Sequence, residues 1–112
     1  MQGKDYDKEN VFAKIIRGEL PCAKVADSEH AIAFKDLHPQ ARTHILVVPK
    51  GAYRDIADFT LNASAAELGD FWKLALSVAV MENVRDNFRI IANTGERAGQ
   101  SVPHFHIHIL AD

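Results

Sequence analysis

The 112-residue sequence lacks several features, and each absence narrows its possible functions. Cys22 is the single cysteine, which excludes an intramolecular disulfide and a four-cysteine zinc site. The sequence contains no apolar run of about 18 residues, the length that a membrane-spanning helix needs. Its first seven residues include charged side chains and do not resemble the apolar centre of a signal peptide. We therefore expect a cytoplasmic protein with no membrane partner.

The sequence also has no excess of basic residues over acidic residues. The chain has 13 Lys and Arg against 15 Asp and Glu, and the basic residues are scattered, so we expect no nucleic-acid partner. A hydrophobic fraction of 47% and a charged fraction of 25% are ordinary for a globular protein of one domain, here residues 1–112. The polar residues 1–9 are predicted to form a disordered N-terminus.

Local patterns predict an α+β domain with an antiparallel β-meander sheet, one long helix and one short helix. Asn10 is a suitable cap for a short helix that ends near Arg17. Ser64 and Glu67 match a capping box, from which a long helix is expected to run to about Asn83. Residues 50–61 are ambiguous. Strands are predicted at residues 22–26, 31–35, 43–48, 88–92 and 104–110.

The long helix is predicted to bury one apolar face, and its Trp72 is predicted to be a core residue. That face has helical spacing and comprises Leu68, Phe71, Trp72, Ala75, Leu76, Ala79 and Val80.

Three histidines near the end of the chain carry the strongest functional signal. His104, His106 and His108 alternate with apolar residues, so on a strand all three imidazoles line one face. An exposed edge strand would more often carry Thr, Lys or Glu. A shared metal ion is disfavoured because residues i and i+4 of a strand lie about 13 Å apart; a site would need a further ligand, for which His44 is the candidate from another strand. Nucleophilic catalysis by a central imidazole, held between two others, fits best.

The loop at residues 93–102 supports catalysis on an anionic substrate. It contains Gly95 and Gly99 among small polar residues, directly before the histidines. Glycines allow backbone N–H groups to turn toward an anion and form a phosphate-binding concavity.

These motifs together resemble the histidine-triad (HIT) family, in its Hint branch. The triad motif is present as HFHIHIL at residues 104–110, preceded by GQSV at residues 99–102. Residues 34–50 resemble the nucleotide-side strand and loop of the family, and residues 11–21 resemble the opening helix of the Hint branch. After Leu110 the sequence departs from the Gly-Gly and tail that usually follow in that branch.

The resemblance implies hydrolysis or transfer at a nucleotide α-phosphate, without a cofactor or metal. His106 would attack the phosphorus of a purine nucleoside 5′-phosphoramidate or aminoacyl-adenylate and form a nucleotidyl-histidine intermediate. Ser101 would help the leaving amine take a proton. His108 would stabilise the phosphate oxygens, and His104 and His44 would complete the polar surroundings.

The resemblance also implies the nucleotide contacts and a homodimer formed through the long helix and an adjacent strand. Asp36 would accept hydrogen bonds from the ribose of an AMP-type purine nucleotide. The apolar slot for the base would consist of Phe12, Ile15, Phe34 and Leu37. The phosphate-side loop would contribute Asn93, Gly99 and the backbone N–H groups of Gln100, Ser101 and Val102. His30, His38 and Cys22 receive no role.

Three other functions stay open from the sequence. A dinucleoside polyphosphate hydrolase would use the same triad, although the Hint-like opening helix favours the phosphoramidase branch. A non-catalytic module that binds nucleotides would not need all three histidines, and a metal-binding protein would be sensitive to chelators.

Overall fold

The computed structural model describes residues 6–112. None of the helices in this part of the chain is long and apolar enough to cross a membrane. In chain order the elements are α1 (Val11–Ile16), β1 (Lys24–Asp27), β2 (Ala31–Lys35), β3 (Thr43–Pro49), α2 (Ile56–Asn62), α3 (Ala65–Met81), β4 (Arg89–Ile91), a 3₁₀ turn (Glu96–Ala98) and β5 (Ile107–Ala111).

The strands form one five-stranded sheet in the order β1-β2-β3-β5-β4, and all neighbouring pairs are antiparallel. The prediction of an α+β domain with an antiparallel sheet is confirmed. The meander covers only β1 to β3, since β5 lies between β3 and β4. Burial explains this order: Ile107 and Ile109 of β5 are buried, whereas all three residues of β4 are exposed at the edge.

Both predicted helix caps are present. The side chain of Asn10 accepts a hydrogen bond from the N–H of Ala13, and Ser64 and Glu67 form the reciprocal bonds of a capping box. Helix α2 was left undecided by the sequence. It begins after Asp55, which caps it, and Phe59 is its one buried residue, so its apolar periodicity is too short to recognise.

The two faces of the sheet pack against different helices. On one face, the apolar residues that alternate with the triad histidines pack against α3, as predicted. On the other face, Phe12 of α1 packs against Phe34, Leu46 and Val48. The histidines lie on this second side, next to α1.

The predicted buried face of α3 is wrong for three of its residues. Trp72, Leu76 and Val80 are 44%, 49% and 49% exposed. They form a stripe about 100° around the helix from the buried stripe, because each follows a buried residue by one position. The side chains of α3 that are buried are Phe71, Leu74, Ala75, Val78 and Ala79.

Candidate active site

The triad histidines lie on an extended segment that only partly belongs to the sheet. Strand β5 begins at Ile107, not at His104 as predicted. The preceding residues leave the ladder because the N–H of Phe105 donates to the carbonyl of Tyr53, at 2.7 Å, in the loop before α2. The alternation of faces nevertheless continues: Phe105 packs in the α3 core, while His104 and His106 contact Phe12 on the opposite side.

The surroundings of His106 define which ring nitrogen can react. Its Nδ1 lies 2.7 Å from the carbonyl oxygen of His104, which can only accept, so Nδ1 carries the hydrogen and Nε2 has a lone pair. Within residues 6–112 no buried side-chain nitrogen or oxygen lacks a partner. Among these residues Nε2 of His106 has no hydrogen-bond partner, so its surface is not covered by them although the residue is only 5% exposed. Burial lowers the pKa of His106 and keeps the ring neutral at physiological pH.

A chain of hydrogen bonds orients His108 in the same way. The backbone N–H of Gln40 donates to Nδ1 of His44 at 3.0 Å, so the hydrogen of the neutral His44 ring is on Nε2. That nitrogen lies 2.9 Å from Nδ1 of His108, which accepts. Burial lowers the pKa of His108 to about 4, so its ring is neutral and its own hydrogen is on Nε2. The pair therefore presents an N–H donor, to which a phosphate oxygen can bind, on a ring whose centroid lies 5.2 Å from that of His106.

His104 has a different position from the other two triad residues. Its Nε2 donates to the carbonyl of Pro49 at 2.7 Å, and the residue is 1% exposed. Burial lowers its pKa to about 4, so it is neutral as well. The side chain of His104 ties the segment to the end of β3, and its backbone carbonyl holds His106. The ring of His104 is thus a support for His106 and is too buried to bind a ligand directly.

An apolar cavity of about 210 Å³ lies beside α1 and β2, where the resemblance places a base and a ribose. Asp36 is half-buried at this cavity and accepts the N–H of His38 at 2.7 Å. Leu37 lines only the rim, since it is 86% exposed. Among the predicted contacts, the lining brings together Phe12, Ile15, Phe34, Asp36, Leu37, Ser101 and Val102.

The other loop residues named from the sequence do not line this cavity. The side chain of Gln100 donates to the carbonyls of Arg54 and Val102 and accepts from the N–H of Gly95. These bonds hold the two ends of the loop together and connect it to Arg54. Its backbone N–H is also engaged, by the carbonyl of Gly95. Gly99 has a φ of +94°, which favours glycine, and a β-carbon at this position would lie 3.8 Å from the side-chain nitrogen of Asn93.

Two backbone donors of this loop are available to an anion. Within the described residues, the N–H groups of Ser101 and Val102 have no acceptor. Of the three N–H groups expected to bind phosphate, the structure thus makes two available and engages that of Gln100.

Three donor atoms close together also raise the possibility of a metal site. Asp36, His44 and His108 offer ligand atoms that lie within 4.8 Å of one another. A histidine that binds metal usually donates its second N–H to an acceptor. Nδ1 of His44 instead receives the N–H of Gln40, so Nε2 must keep its hydrogen and cannot ligate without disturbing this contact. This hydrogen-bond pattern is therefore unfavourable for a metal ion held by these three side chains.

Comparison with known proteins agrees with this geometry. The sequence profile of the HIT domain matches residues 17–112, which is most of the chain. The chain belongs to the HIT family. A HIT-like protein of 13.2 kDa from Azospirillum brasilense, itself uncharacterized, is 51% identical over 109 residues and is aligned over 96% of this chain and 89% of its own length.

Solved structures of other HIT proteins share the fold. A HIT family hydrolase from Legionella pneumophila superposes with a TM-score of 0.82 at 32% identity, with 90% of each chain covered. A histidine triad nucleotide-binding protein from Candida albicans superposes with a TM-score of 0.78 at 26% identity, over 90% of this chain and 73% of its own. Similarity to named hydrolases and nucleotide-binding proteins thus extends over nearly the whole domain.

Sequence reasoning missed the backbone groups that organise this HIT site. The N–H of Gln40 and the carbonyl of Pro49 decide the ring tautomers of His44 and His104. Every residue type has such groups, so no side-chain pattern could have indicated them. In the sequence, Pro49 shows only where β3 ends.

Proposed function

We propose that this HIT protein is a nucleotide hydrolase or transferase that cleaves purine nucleoside 5′-phosphoramidates or aminoacyl-adenylates through a nucleotidyl-His106 intermediate. One observation carries the proposal: a neutral, buried ring whose Nδ1–H is held by a carbonyl and whose Nε2 lone pair is open to solvent. This is the form of imidazole that attacks phosphorus. The name of the Candida albicans relative supports a nucleotide as the ligand.

The proposed reaction has two steps, formation of the nucleotidyl-histidine and its hydrolysis. Nε2 of His106 forms a bond to the α-phosphorus while the phosphorus–nitrogen bond of a phosphoramidate breaks, and the leaving amine takes a proton from solvent with the help of the Ser101 hydroxyl. In an aminoacyl-adenylate the phosphorus–oxygen bond breaks instead and a carboxylate leaves. Water then attacks the same phosphorus and breaks the phosphorus–imidazole bond, which releases AMP, a proton and free His106. Nε2–H of His108 and the N–H groups of Ser101 and Val102 stabilise the phosphate oxygens in both steps.

The nucleoside end of the substrate occupies the apolar cavity beside α1. The carboxylate of Asp36 accepts hydrogen bonds from the ribose hydroxyls, and its orientation is set by the N–H of His38. The base packs against apolar side chains of α1 and β2, among them Phe12 and Phe34, whose rings meet edge to face at 5.5 Å. A rigid aromatic pair at this position suits a flat purine.

The first test compares two substrates of the wild-type protein in excess EDTA. We expect AMP release from adenosine 5′-phosphoramidate to be faster than from diadenosine triphosphate, by about tenfold or more in kcat/KM, because the P–N substrate needs only one nucleoside site. Faster cleavage of diadenosine triphosphate would favour the polyphosphate hydrolase instead. Loss of all activity in EDTA would contradict a mechanism in which histidines and N–H groups alone bind the phosphate.

We also propose that two copies of the chain associate through the exposed stripe of α3. Trp72, Leu76 and Val80 expose large apolar side chains there, and Ile90 on edge strand β4 is exposed too. Exposed apolar residues grouped on one face are typical of interaction surfaces.

Sedimentation velocity tests the dimer. We expect a dimer for the wild type and a monomer for Trp72→Glu, since a charge at the centre of an apolar interface is costly to bury. The matched control is Leu61→Glu, which adds the same charge at an exposed leucine of α2 and should sediment as the wild type does. A wild-type monomer at micromolar concentration, or a dimer of Trp72→Glu, would contradict this interface.

A further inference from the structure

The N-terminal segment contacts the triad. The prediction of disorder covered residues 1–9, of which residues 1–5 lie outside the described residues. Residues 7–9 form a hydrogen-bonded turn with Asn10, directly before α1. The N–H of Asn10 donates to the carbonyl of Asp7, and the guanidinium of Arg17 donates to the carbonyl of Lys8 at 2.8 Å. Tyr6 lies directly before this turn. Its ring meets the buried ring of His104 edge-on, with ring centroids 5.6 Å apart.

The hydroxyl of Tyr6 contacts Nδ1 of His104, and the tautomer of that ring shows which of them donates. Nε2 of His104 already carries the hydrogen, because it donates to the carbonyl of Pro49. Nδ1 is therefore a lone pair on a ring that is 1% exposed. Burial raises the pKa of Tyr6, so its hydroxyl keeps the proton that it donates. An unpaired acceptor in this position would be unfavourable, and Tyr6 is the group that satisfies it.

From these contacts we propose that Tyr6 is a positioning residue of the active site. Its hydroxyl holds the His104 ring between two opposed partners, Tyr6 and Pro49, and the His104 carbonyl in turn holds Nδ1–H of His106. The contact thus extends to the nucleophile through one intervening residue. The family profile matches residues 17–112, so the residue that holds the His104 ring lies outside the matched region.

Tyr6→Phe is the decisive variant, and Tyr53→Phe is its matched control. The chain has two tyrosines, and the hydroxyl of Tyr53 donates to Glu67 of α3. Each substitution removes one hydrogen-bonded hydroxyl and keeps the ring. The role of Tyr6 in turnover rests on the proposed function, whereas its contact with His104 does not, so the two are measured separately.

In the kinetic measurement with adenosine 5′-phosphoramidate, we expect Tyr6→Phe to lower kcat about tenfold. KM should change less than about twofold, because Tyr6 does not line the nucleotide cavity. Tyr53→Phe should keep the wild-type kcat. An unchanged kcat in Tyr6→Phe, or an equal loss in both variants, would overturn the positioning role.

In the spectroscopic measurement, the ¹⁵N resonances of the histidine rings report each nitrogen directly. We expect the Nδ1 resonance of His104 to shift in Tyr6→Phe and to stay in place in Tyr53→Phe. If the wild type failed to cleave the phosphoramidate, the proposed function would fall while these spectra still decided the contact. A His104 Nδ1 resonance that is the same in wild type and Tyr6→Phe would show that the contact is not formed.

Discussion

Replacing His106 with alanine should abolish turnover of adenosine 5′-phosphoramidate, with a fall in kcat of at least about 10⁴-fold, the scale seen when a catalytic nucleophile is removed. The reason is that no other side chain of the site can substitute. Nδ1 of His108 accepts from His44, so the accessible nitrogen of its ring carries a hydrogen and has no lone pair for attack. His104 is buried and bonded at both nitrogens. AMP release in excess EDTA measures the loss.

Two controls separate lost chemistry from lost folding. Binding of AMP, measured by calorimetry, should stay within about tenfold of wild type in His106→Ala, because the base and ribose contacts are untouched. His30→Ala removes a histidine from the turn before β2 and should keep full activity. Intact-protein mass spectrometry of the wild type during turnover should show one nucleotidyl adduct, absent from His106→Ala. Turnover in His106→Ala above one hundredth of wild type would rule out His106 as the nucleophile.

Lowering the pH below 6.5 should destabilise the fold. The pKa values of His104 and His108 are lowered from 6.5 to about 4, and that of His106 is lowered too, in each case chiefly by burial. Below pH 6.5 the unfolded chain therefore binds protons that the folded chain does not. The free energy of unfolding is at its full value above pH 6.5 and falls as the pH drops toward 4. For His104 alone the loss amounts to about 3 kcal/mol.

Urea denaturation between pH 7 and 4.5 measures this loss of stability, because in this pH range the change comes mainly from the buried histidines. The carboxylates of Asp27, Glu67 and Asp70 also have lowered pKa values, below their ordinary values of 3.8, 4.5 and 3.8. Their contribution to the free energy of unfolding is therefore lost mainly below pH 4.5. His104→Gln keeps a donor toward Pro49 and removes the titrating ring, so its stability should depend less steeply on pH.

The control for this measurement is His38→Gln, at an exposed loop position, which should retain the wild-type slope. A wild-type free energy of unfolding that is constant from pH 7 to 4.5 would contradict the buried neutral histidines.

Much of the fold could be predicted because it depends on neighbours in the sequence. The side chain of Asn10 and the Ser64–Glu67 pair cap helices within four residues of themselves, and the buried strand β3 is recognisable from its own apolar, β-branched residues. Helix α2 could not be recognised in the sequence, because a single buried side chain does not produce a periodic apolar pattern. Trp72 was misplaced because an apolar side chain at helical spacing does not reveal which of two adjacent stripes faces the sheet.

The sequence by itself determined which residues could do the chemistry. The alternation of His104, His106 and His108 with apolar residues puts the imidazoles on one side of any extended segment, since successive side chains point to opposite faces. Only the tertiary structure decided which hydrogen bonds the rings of His104 and His108 make. Tyr6 and Pro49, far along the chain, assign the hydrogen on the ring of His104, and the contact with His44 assigns that on the ring of His108. Such hydrogen bonds can be assigned only after folding has brought donor and acceptor together.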